Sequence, residues 1–164
     1  MTVIFLIILG LFSSIIFYQD YKTRSVVWPL FPCVLILGAF YSFYYTESLQ
    51  KFVLNTGLNI GFFLLQIVLL KIVFGFKRII NHKLGIGDIL FILCCCFFFS
   101  PLNFLVFYIL SLLFSLCVYF LWLNKSQKDS IPLAGIQAVF LFFFITAFVI
   151  AGSNTTEDII LLSH

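Results

Sequence analysis

From Ile89 to Leu123 the chain runs for 35 residues without a charged side chain. That tract is too long for one membrane-crossing helix and short for two, since each needs about 20 residues to pass ~30 Å of hydrocarbon. It excludes an ordinary soluble domain, in which about 25% of residues are charged. Over the whole 164 residues the charged share is 9% and the apolar share 63%. Soluble, disordered, nucleic-acid-binding and disulfide-framework proteins are excluded on the same ground. One domain of a multi-pass membrane protein remains. Within it the nine basic and six acidic residues carry the information, because each is costly to hold in lipid.

Six apolar runs are legible, at about 2–19, 28–44, 52–70, 88–100, 102–123 and 133–152. Pro101 and Asn103 supply the break inside the long uncharged tract. Charge bias chooses six spans over five. With six, Lys22, Arg24, Lys71, Lys77, Arg78, Lys83, Lys125 and Lys128 share one side, and Lys51 alone takes the other. With five, the split falls to six against three. The expectation is an all-α polytopic bundle of about six transmembrane helices, N-terminus outside, with the basic side cytoplasmic. The expected location is the cell (inner) membrane. The first run has no basic residues before it and no A-x-A site after it, so it reads as an uncleaved helix. Residues 71–83 mix basic and apolar side chains and read as an interfacial segment.

Asp20 closes the first run and Asp88 opens the fourth, both on the basic side. A helix from Ile89 to Ser100 spans only about 18 Å at ~1.5 Å per residue. Starting it at Gly85 lengthens it to about 24 Å, which sets Gly85-Ile86-Gly87-Asp88 inside the membrane and Asp88 about one turn below the surface. Small residues there let a neighbouring helix or a substrate strand come close. Two carboxylates at equal depth on different helices can meet. At ~4 Å and an effective dielectric near 20, their repulsion is about 4 kcal/mol. That separates the two titrations by roughly three units, so the pair shares a proton and titrates as a unit. One member then serves as base toward water while the other polarises a carbonyl. The plainer reading makes each acid a solvated cap or an ion-pair partner of Lys22 or Arg24.

These residues resemble the type IV prepilin peptidases, which include the preflagellin peptidases, among the GxGD membrane aspartic proteases. The first motif reads Asp20-Tyr21-Lys22-Thr23-Arg24-Ser25-Val26, and the second is met by Lys83, Gly85, Gly87 and Asp88. Ile131 and Pro132 match a weaker feature before the last span. The resemblance implies that Asp20 and Asp88 are the catalytic pair. Lys22, Arg24, Lys83, Gly85 and Gly87 would be supporting motif residues. The implied substrate is the leader of a type IV pilin-like precursor, cut on the cytoplasmic face, which ties the chain to type IV pilus assembly and protein secretion. Neither cofactor nor metal is implied. Two positions depart from the pattern: Val27 stands where the family often has Pro, and Leu90 where it often has Lys. The chain opens on the first helix without paired Cys-x-x-Cys motifs, so the short form without the methyltransferase domain, and no N-methylation, is expected.

Two other classes stay open. A signal-peptide-peptidase-like protease shares GxGD, but here Gln19 precedes Asp20 and the late segment reads Ile131-Pro132-Leu133-Ala134-Gly135. A non-enzymatic scaffold or transporter subunit would use the acids as caps or as a proton site. Cys33, Cys94, Cys95, Cys96 and Cys117 lack Cys-x-x-Cys spacing and read as small packing residues. His82 reads as a solvated loop residue. Gly57 and Gly61 form a GxxxG expected to pack on a neighbouring helix. The expected partners are the precursor substrate and the lipid bilayer, with no nucleic acid. The oligomeric state is left open.

Overall fold

A computed structural model describes residues 2–23, 25–46, 48–74, 86–123, 133–152 and 155–156. Among them are six helices and no strand. They are α1 (Thr2–Thr23), α2 (Leu30–Thr46), α3 (Leu49–Phe74), α4 (Ile86–Cys95), α5 (Pro101–Val118, continuing through a π-helical turn, Tyr119–Leu123) and α6 (Leu133–Ile150). Four of these, α1, α3, α5 and α6, are long and apolar enough to cross a membrane. The chain is an all-α bundle with the character of a membrane protein. Its outer faces carry exposed Val, Ile, Leu and Phe along α1, α3 and α5, as lipid requires.

The bundle is organised around α6, which packs most extensively on α1 and also against α4 and α5. One stripe of α6, Ala134, Ala138, Leu141 and Ile145, is fully buried, at the three- and four-residue spacing of a single helical face. It meets Leu9 and Ile16 of α1 and the aromatic block Phe98, Phe99, Phe104 and Phe107 in one core. Gly10 lets α1 and α6 close together, since a Cβ there would stand 3.1 Å from the Phe142 ring. By contrast α3 contributes little to the core and touches only α2 and α5 to any extent.

Two expectations change. The fourth helix does not run to Ser100: it ends at Cys95, after 10 residues, and the chain turns at 96–100 before α5. The amides of Phe97 and Phe98 drop back to the carbonyls of Cys94 and Cys95, at 3.2 and 3.1 Å, a tightening common at helix ends. Pro101 then opens α5, where its missing N–H costs nothing. Apolarity continues through Phe99, so hydropathy could not mark this stop. The second change concerns Gly57 and Gly61. A Cβ added at either meets nothing within 4 Å, so this GxxxG faces away from the described helices rather than packing on one.

The turn after α4 leaves carbonyl oxygens without helical partners inside an apolar bundle, and neighbouring side chains supply them. The Asn59 amide nitrogen of α3 donates to Cys96 O at 3.0 Å and to Phe99 O at 2.8 Å. The Thr155 hydroxyl donates to Phe98 O at 2.9 Å. In return the Thr155 carbonyl accepts from the Ser100 amide and from Asn103 Nδ2, both at 2.9 Å. The Phe98 ring fills the notch at Gly38, where a Cβ would lie 2.5 Å from it.

Candidate active site

Asp20 lies in the last turn of α1 and Asp88 in the first turn of α4. Both reach the N-terminus of α6, whose first amides have no carbonyl partner within their own helix. The Ala134 amide donates to Asp88 Oδ1 at 2.8 Å, and the next amide, that of Gly135, donates to Asp20 Oδ2 at 2.7 Å. Adjacent backbone nitrogens are joined through three bonds, so the two carboxylate oxygens lie within about 10 Å of each other. The partial positive charge of a helix N-terminus favours carboxylates there. Two acids separated by 68 positions in sequence thus converge on one dipeptide.

Their surroundings differ. Asp20 is 7% exposed, whereas Asp88 is half-buried. Asp20 is enclosed because α1 and α6 touch backbone to backbone at this point. A Cβ on Gly135 would stand 3.1 Å from Phe17 Cα and 3.1 Å from Asp20 Cβ. Only glycine fits there without displacing α1. Gly87, beside Asp88, is the opposite case. A Cβ on it would meet only the Phe31 ring, at 3.6 Å, an ordinary contact. Among the described residues nothing demands glycine at 87.

Lys22 directs its ammonium to Tyr18, donating to the hydroxyl at 3.3 Å and lying 5.5 Å from the ring centre. Gln19, beside Asp20, accepts from the Val27 amide at 3.0 Å. It fastens the end of α1 to the connection leading into α2, and Val27 needs its N–H for that bond. A proline at 27 would lack the donor, which gives valine at this position a local physical reason. Arg24, Lys83 and Gly85 lie outside the described residues, as do His82, Ile131 and Pro132.

One turn further along α6, Gln137 is fully buried. Its amide nitrogen reaches Ser111 Oγ of α5 at 3.5 Å. Ser111 donates to Tyr108 O at 2.9 Å, and Ser115 to Ser111 O at 2.7 Å. The Gln137 side-chain carbonyl has no hydrogen-bond partner among the described residues. Cys94, Cys95 and Cys96 are buried, as packing residues should be, while Cys33 and Cys117 are on exposed faces.

Sequence reasoning placed both aspartates at one membrane edge but missed what holds them. The donors are main-chain amides of Ala134 and Gly135, which carry no side-chain signature. The available signal was Ile131-Pro132 with glycine three residues on, a helix start with a close-approach residue inside it. No known family, no curated protein and no solved structure matches the chain.

Proposed function

We propose that the chain is a membrane aspartic endopeptidase of the prepilin peptidase kind, with Asp20 and Asp88 as its catalytic pair. Its substrate would be a type IV pilin-like precursor, cut where the basic leader meets the apolar helix, at the cytoplasmic face. The observation that carries this reading is the convergence of both carboxylates on the successive amides of Ala134 and Gly135.

In this reading two nearby acids share one proton. The ionised carboxylate takes a proton from water as the water oxygen adds to the scissile carbonyl carbon. The protonated carboxyl gives its proton to the carbonyl oxygen. The tetrahedral diol then collapses, the C–N bond breaks, and the nitrogen leaves carrying a proton from the carboxyl group just protonated by water. The diol returns a proton to the other carboxylate, which restores the starting state. The α6 amides hold both acids in place throughout, and the lack of a side chain at Gly87 would let the extended substrate backbone approach Asp88.

The rival reading makes both carboxylates caps of α6 and nothing more. Asparagine separates the two, because it caps a helix about as well as aspartate but cannot transfer the proton. The test is co-expression of Asp20→Asn or Asp88→Asn with a precursor bearing a short basic leader. Loss of processing at unchanged protein level supports the peptidase. Normal processing with Asp88→Asn sinks it.

A further inference from the structure

We propose that α6 and Thr155 together act as a yoke on α4, and that Thr155 and Asn59, at the end of α4 remote from the carboxylates, are positioning residues for Asp88. The inference rests on the peptidase reading for its effect on rate, and on the hydrogen bonds alone for its mechanics.

The α4 helix has 10 residues, a rod of about 15 Å. Its first turn is tied to α6 by the Ala134 amide on Asp88 Oδ1. Its exit is tied to Thr155, five positions past the end of α6, by Thr155 Oγ1 on Phe98 O and by the Ser100 amide on Thr155 O. Asn59 adds the bonds to Cys96 O and Phe99 O. One short rod is thus held at its start by α6 and beyond its end by Thr155 and by Asn59 of α3.

The grip at the far end decides where α4 stops. Residues 96–99, Cys-Phe-Phe-Phe, are as apolar as the helix before them. In an apolar medium their carbonyls must find donors. With Asn59 and Thr155 present, those donors are side chains, and the chain turns. Without them, the alternative is to wind the segment into α4 and on into α5, where the Leu102 and Asn103 amides would serve Phe98 O and Phe99 O and only Phe97 O would face Pro101, which has no N–H. Winding shortens the path from α4 to α5 and draws the rod along its axis. Asp88 moves with it, away from a 2.8 Å bond with little tolerance for displacement. A misplacement of about 1 Å at a reacting group can cost roughly 100-fold in rate.

The test uses the full-length protein in membranes. Thr155→Val keeps the shape and removes the hydroxyl; Thr155→Ser keeps the hydroxyl. Each is combined with Gly87→Cys, and labelling of position 87 by a membrane-impermeant maleimide is read peptide by peptide by mass spectrometry. Cleavage of the pilin-like precursor is measured in parallel without the added cysteine. The expected result is a severalfold change in labelling at 87 with Thr155→Val and none with Thr155→Ser. The accompanying kcat falls roughly 10-fold or more, KM stays close to normal, and serine restores the rate. Asn59→Leu repeats the test from the other donor, should Thr155→Val lower the amount of folded protein. Unchanged labelling at 87 overturns the yoke whatever cleavage does. Changed labelling with unchanged kcat overturns the positioning role. Absence of cleavage by the unsubstituted chain removes the peptidase reading instead, and the labelling then decides the yoke by itself.

Discussion

At the acidic end of the bundle the unpaired backbone groups are amides of α6, and carboxylates meet them. At the opposite end they are carbonyls leaving α4, and a neutral amide and a hydroxyl meet them. Both ends obey the same requirement, that backbone polar groups in an apolar setting find partners. They differ in what the partner can do afterwards. Asn59 and Thr155 have no proton to exchange near neutral pH, so their work ends with the hydrogen bond. Asp20 and Asp88 cap and, as carboxylic acids, can also take up or release a proton. The proposed site is distinguished from a structural joint by the type of partner, since hydrogen-bond lengths are alike at the two ends.

The comparison can be broken at several points. The largest effect belongs to Asp20→Asn and Asp88→Asn. Loss of a positioned acid or base costs roughly 100- to 10,000-fold in rate, while helix capping, and so thermal stability in detergent, stays nearly unchanged. Equal losses of stability and activity would make the acidic end a joint like the other. Next, Asn59→Leu leaves Cys96 O and Phe99 O without their side-chain donor. The expected cost is about 1–3 kcal/mol per buried group left unsatisfied, measured by unfolding in mixed micelles. A similar sum applies to Gly135→Ala, which forces α1 and α6 apart; overpacking of this kind costs about 1–3 kcal/mol and should reduce cleavage together with stability. Gly87→Ala should leave stability within about 0.5 kcal/mol, because among the described residues its Cβ meets only Phe31, at 3.6 Å, yet raise KM for the precursor. The smallest effect is expected for Gly57→Ala and Gly61→Ala, whose new methyl groups touch nothing and should change neither reading.

The two ends were unequally legible. Asp20 and Asp88 stand out because a charge in an apolar run is rare and needs a cause. Asn59 does not stand out, since one neutral amide in a long helix near Asn55 and Thr56 suggests nothing by itself. The stop at Cys95 was hidden for the same reason. Hydropathy reports what a side chain avoids, and the end of α4 is set by what its carbonyls can find. Gly135 was present in the sequence as part of IPLAG, but a glycine's use as a contact point depends on a partner 115 positions away. The helices themselves were readable to within a few residues, because apolarity and length suffice to specify them. The GxxxG of α3 was readable as a motif, though not as facing away from the bundle.

That separation of 115 residues between Asp20 and Gly135 also sets a clock. At synthesis rates of about 5–20 residues per second, α6 follows α1 after roughly 6–23 s. Asp20 enters the bilayer first and waits without the amide that will hold it. The two acids are therefore assembled late, by the helix that also fills the centre of the bundle. A nascent chain carries each half of the pair separately and gains the joined site only when α6 has inserted.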